Sequence, residues 1–149
     1  MALDPYSQII NLLEDKWDVG NTDGITPTFT KLTDMKALDY RKSQDYVVMT
    51  TVKQARTPAG VGWTVYNRDD MFFLDIRSRG TSEAHHQLLL AEVERILEEN
   101  FNLFTDSTND YHLIDPDGER INRSDETHNI YRILLPVKLI KRSIQRGTQ

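Results

Sequence analysis

A chain of 149 residues with 38% hydrophobic and 28% charged side chains has the composition of one globular domain able to bury its own core, not of a disordered chain. Its formal net charge of −5 argues against a surface that grips nucleic acid throughout, since that work needs a basic face. The absence of cysteine excludes disulfides, a thiol nucleophile and cysteine-based metal sites, and no apolar run approaches the ~20 residues of a membrane-spanning helix.

The opening MALDPYSQ lacks the basic and apolar regions of a signal peptide, so a soluble protein made in the cytoplasm is expected. Asp4 can cap a first helix and Pro5 suits its first position, where a missing N–H costs nothing. Tyr6, Ile9, Ile10, Leu13 and Trp17 recur at helical spacing as one apolar stripe, and Gly20 is the expected stop. From Asn21 to Gln44 the periodicity is lost, and this long polar connection is expected to be functional or to clamp onto a neighbour. Strands are then predicted over Asp45–Gln54, over Val61–Asn67 after the break ARTPAG, and over Asp70–Arg79 after a polar turn at Asn67–Asp69. The short spacing favours antiparallel hairpins.

Thr81 or Ser82 caps a second predicted helix that runs to about Asn100. Its apolar stripe is Leu89, Leu90, Val93, Ile96 and Leu97, with Glu92, Glu94, Arg95, Glu98 and Glu99 expected on the wet side. Asp106–Glu126 reads as polar loop around one or two short strands. In HNIYRILLPVKLIKR, Tyr131, Ile133, Leu135, Val137 and Leu139 alternate onto one face. Pro136 cannot donate to a ladder, which predicts an edge position or a bulge there. Residues 141–149 are expected to be a basic, flexible tail. The expected fold is a two-layer α+β domain of order α-β-β-β-α-(β)-β. In it an antiparallel sheet of about four to five strands is covered by two helices.

The stretch MFFLDIRSRGTSEAHH has the outline of a phosphate or metal site, a strand that turns at one glycine into a helix. Gly80 alone cannot gather the backbone N–H groups that a phosphate loop needs. His85 and His86 are adjacent on a helix and diverge, so they cannot chelate one ion, and each is read as a boundary histidine. DPDGE, Asp115–Glu119, fails the calcium-loop register and is turn chemistry. There is no G-x-S-x-G elbow and no H-E-x-x-H motif, and no catalytic residue, cofactor or metal is expected. Alternation puts Asp75, Arg77 and Arg79 on one face of their strand as same-side neighbours that can pair, on a solvated or protein-facing surface.

An N-terminal amphipathic helix, a three-stranded meander ending in FFLDIRSRG, the helix LLLAEVERIL and a late strand IYRILLPVKLI together resemble the tail terminator (tail completion) proteins of long-tailed phages and related archaeal viruses. The resemblance spans about Pro5 to Ile140 and rests on element order. It implies a virion protein of the tail and neck that assembles as a hexameric ring on the tail tube. Such a ring ends tube polymerisation and docks a head-side connector or stopper protein. It implies no enzyme activity and no cofactor, and DNA that passes through the ring without specific binding. Candidate interface residues are Lys53 and Arg56 near the hairpin tip, Asp75, Arg77 and Arg79, the acidic Glu94 and Glu98, and the basic Lys141 and Arg142. The alternatives are another neck component and, from a different class, a small enzyme or regulatory module using the Asp75/Arg77 surface.

Overall fold

The computed structural model describes residues 5–32, 45–50, 52–58, 65–102, 111–116, 118–141 and 144–145. Helix α1 (Pro5–Lys16) is followed by strands β1 (Thr28–Lys31), β2 (Asp45–Met49), β3 (Lys53–Pro58) and β4 (Val65–Arg79). Helix α2 (Glu83–Glu99), β5 (Tyr111–Asp115), β6 (Ile121–Asn122), β7 (Ile130–Lys141) and β8 (Ile144–Gln145) complete the order. The strands form one mostly antiparallel sheet with the path β1-β2-β4-β7-β5; β3 and β8 add to β4, and β6 adds to β7. The α+β expectation holds.

The centre of the sheet is β4, whose 15 residues extend about 50 Å at ~3.3 Å per residue. Asn67–Asp69, expected as a turn, lies inside it: these residues pair with Thr57, Arg56 and Ala55 of β3, so Val65–Asn67 and the predicted strand Asp70–Arg79 are continuous, and residues 61–64 of the other predicted strand lie outside the described residues. Polar residues are tolerated there because the ladder satisfies the backbone whatever the side chains are. On the opposite edge β4 pairs along Asp69–Arg79 with β7, and β8 continues that edge at Val65 and Tyr66.

The predicted strand Asp45–Gln54 is broken. Met49 faces Leu74 while Lys53 faces Met71, so an extra residue is accommodated around Thr50–Val52. Thr50 holds the gap, its N–H donating to the Phe73 carbonyl at 3.0 Å and its hydroxyl oxygen accepting from the Phe73 N–H at 2.9 Å. The predicted connection after Asn21 contains β1, which pairs in parallel with β2; the rest of that connection, residues 33–44, lies outside the described residues.

Both helices cover one face of the sheet. Ile9, Ile10 and Leu13 of α1 and Leu89, Leu90, Val93, Ile96 and Leu97 of α2 pack with Phe72, Leu74, Ile76, Leu135, Val137 and Leu139. These are the predicted stripes and alternations. The predicted caps of α2 also hold: the Ser82 hydroxyl accepts from the His85 N–H at 3.2 Å, and Asn100 closes the helix. Asp4, the expected cap of α1, lies outside the described residues. The first helix ends at Lys16, and Val19–Asn21 forms a 3-10 turn in which Asp18 accepts from the Gly20 N–H at 2.9 Å.

Pro136 does not put β7 on an edge, since β4 and β5 flank it. The hydrogen bonds of Phe73 run to Thr50, so the facing Pro136 sits at a non-hydrogen-bonded pair, and its missing N–H points to the far side of β7. On that side β5 pairs with Lys138–Lys141 and β6 with Ile133–Leu134, which leaves a gap at Pro136. Gly118, at φ +105, lies against the ring there, and a Cβ on it would stand 3.1 Å from Pro136 Cγ.

Candidate interaction surface

The sheet face turned away from the helices is polar at one end and apolar at the other. At the polar end Asp75 Oδ2 accepts from Arg77 Nε at 2.8 Å and from Arg132 Nη2 at 2.7 Å. Arg132 faces Arg77 across the β4–β7 ladder, so register delivers it to the same side. The expected Asp75–Arg77 pair is present, but the expected solvated surface is corrected: Asp75 is 2% and Arg77 9% exposed. A carboxylate flanked by two guanidiniums is the arrangement that makes burial of these charges tolerable, and it leaves these residues little surface for a partner. Arg79 is half-buried at the end of β4.

Two positions back along the same face the character changes. Phe73 and Met71 are each 36% exposed. With Leu134 and Pro136 from β7 and Leu32 after β1 they line a groove of about 580 Å³. Thr50, Lys53 and Lys138 also line it, which places amino groups around an apolar floor. Ile121, facing Leu134 from β6, adds a further exposed aliphatic side chain. Scattered single apolar side chains are ordinary on a surface, whereas a contiguous concave patch marks an interaction site.

The helix layer holds two internal clamps that sequence reasoning missed. His85 Nδ1 stands 3.0 Å from Asp23 Oδ2 and its Nε2 2.6 Å from Asp45 Oδ2. Carboxylate oxygens at both ring nitrogens favour the imidazolium, in which both nitrogens donate. Burial opposes that charge, but the hydrogen bonds and charges of Asp45 and Asp23 outweigh it and raise the pKa. With both nitrogens occupied, His85 has no lone pair left to act as a general base. His86 is the opposite case: burial lowers its pKa, and Nε2 donates to the Ile76 carbonyl at 2.8 Å. The boundary reading of both histidines is corrected, since they are 6% and 1% exposed.

Glu92 is the second clamp and a further correction, because it is 1% exposed and not on the wet side. It accepts from the Asp18 N–H at 2.7 Å, from Asn21 Nδ2 at 3.1 Å and from Arg95 Nη2 at 2.9 Å, while Arg95 also reaches the Lys16 carbonyl. Burial works against its charge, and these donors reverse the effect and lower its pKa. Glu94 is half-buried and pairs with Arg120, tying the loop before β6 to α2. Glu98 and Lys53 are exposed. Arg56 lies on β3 and Lys141 ends β7, but their side chains, and all of Arg142, fall outside the described residues.

Among the described residues no group of three or more His, Asp or Glu side chains could hold a metal ion, and no helix is long and apolar enough to cross a membrane. No protein-family model matches the chain, and no curated protein matches it.

Proposed function

We propose that this chain is the subunit of a tail terminator ring, a structural protein of a virus particle at the head-proximal end of the tail tube. The ring ends tube polymerisation, docks the head-side connector or stopper, and lets DNA pass without specific contacts. The observation that carries this reading is the two-sided sheet. One face is buried under α1 and α2, and the other bears an apolar groove at Met71, Phe73, Leu134 and Pro136. An exposed concave apolar surface is what a subunit presents to a neighbour. The 15-residue β4, paired with β3 along one part and β7 along another, further supplies a long stiff element.

The coarse order α, strands, α, strands is shared with the resemblance, while the three-stranded meander it also used is replaced by β2 and β3 paired along the single strand β4. Light scattering on the purified chain, with negative-stain imaging of the same fractions, tests it. The expected species has the mass of six subunits and an annular outline, alone or on addition of the tail tube protein. A chain that stays monomeric in both conditions overturns the ring, and turnover of a phosphoester by that monomer would place it among enzymes instead.

A further inference from the structure

We propose that the groove on the outer sheet face is filled by the end of α2 from the next copy of this chain, with Phe101 seated on Met71, Phe73 and Pro136 and Glu98 set against Lys53. This rests on the ring reading and names the contact that would build it. Phe101 is 51% exposed, the highest value among the large apolar side chains described. It stands directly after α2, and its carbonyl accepts from the Ile114 N–H at 2.8 Å. That bond fixes the backbone beside β5, so the ring projects from an ordered position and loses little freedom on docking. Ile114 faces Leu139 and belongs to the core beneath the helices, which puts the Phe101 segment at the sheet edge on the helix side. The groove lies on the other side.

Because knob and groove occupy opposite faces, one chain cannot bring its own Phe101 to its own groove, and the proposed contact joins two different patches of neighbouring copies. The contact is head-to-tail, the type that closes into rings. Charge points the same way. Glu98 precedes Phe101 by about one helical turn and is exposed, as is Glu99 beyond its pairing with Arg95. The groove carries the exposed Lys53 in its lining. Acidic residues beside the knob and a lysine beside the hole set the register and disfavour groove-to-groove contact. A groove of about 580 Å³ accommodates an aromatic ring with its flanking side chains.

The chain has no cysteine, so introduced thiols report this contact alone. In the double variant Lys53→Cys/Glu98→Cys, which keeps Phe101, Met71, Phe73 and Pro136, mild oxidation of the assembled protein is expected to give a ladder of covalent species up to the full ring on a non-reducing gel. Each single variant should stop at the dimer or give none. Phe101→Ser and Phe73→Ser should each weaken assembly at least ten-fold with the thermal melt of the subunit kept. Lys53→Glu should weaken it, and adding Glu98→Lys should restore it. If rings form undiminished in Phe101→Ser, or if the double-cysteine ring yields no ladder, the contact is overturned while the ring reading stands. Loss of assembly in Phe73→Ser but not in Phe101→Ser would assign the groove to a different segment and also overturn it. A wild-type chain that never assembles overturns both.

Discussion

Asp75 shows how a surface charge pattern becomes an internal one. Its carboxylate holds Arg77 and Arg132 at 2.7 Å each, and Asp75→Ala leaves two guanidiniums without their shared counter-ion. The expected loss is about 3–5 kcal/mol, read from urea unfolding, whereas Arg132→Ala, at a side chain 35% exposed, should cost far less. The pair was legible from spacing two residues apart on a strand, but Arg132 was not, because the β4–β7 register is decided by packing. The same holds for His85, whose partners lie 62 and 40 residues away. Its raised pKa means that it stabilises the fold fully below pH ~6.5, where the unfolded side chain is protonated too. That contribution is lost as pH rises through the raised folded value. His86, whose pKa is lowered, contributes the reverse: full stability above pH ~6.5, lost as pH falls through its folded value. Urea midpoints for wild type and His85→Gln should thus differ most on the acidic side of neutrality and converge toward alkaline pH. His86→Gln should show the opposite trend.

At the scale of elements, α2 is both a lid on the sheet and an anchor for the chain after α1. Glu92 performs the anchoring from a buried position, so Glu92→Ala is expected to cost about 3 kcal/mol. It should also speed amide exchange at Asp18, whose N–H it holds at 2.7 Å. Helical periodicity predicted the length and stripe of α2 well, yet it put Glu92 outside, because periodicity cannot see a second element arriving from the flank. Strand reasoning had a parallel weakness: polar residues at Asn67–Asp69 read as a turn, although β4 runs through them, paired with β3 throughout and with β7 from Asp69. Pro136 predicts an edge or a bulge, and the fold shows neither: β7 lies inside the sheet in unbroken register with β4, and the far side of Pro136 is covered by Gly118. Gly118→Ala should cost about 1–3 kcal/mol in a thermal melt, from the positive φ and the short approach to Pro136 together.

For the whole molecule the consequential asymmetry is between the two faces of one sheet. A core on one side and an apolar groove on the other leave the groove and the exposed Phe101 on different faces, the two patches of the proposed contact between copies. Assembly through such a contact should be steered by the acidic and basic margins, so raising salt should slow ring formation more than it lowers the final assembled fraction. The net charge of −5 leads to a separate expectation: duplex DNA should not be retained with the protein on a filter even at low salt. Salt-sensitive retention would contradict the picture of an unspecific passage.

The amino-acid sequence by itself determined the two helices, their buried stripes, the alternation of β4 and β7 and the α+β class. All of these follow from local periodicity and from caps within a few residues of where they act. Only the tertiary structure decided that β4 is one long strand, that β1 joins in parallel, and that Asp75, Glu92 and His85 are buried hubs. It also decided that Met71 and Phe73 open onto a groove. The physical reason is common to these: each depends on register or on a partner from a distant element, and a periodic pattern carries no information about which distant residue will face it.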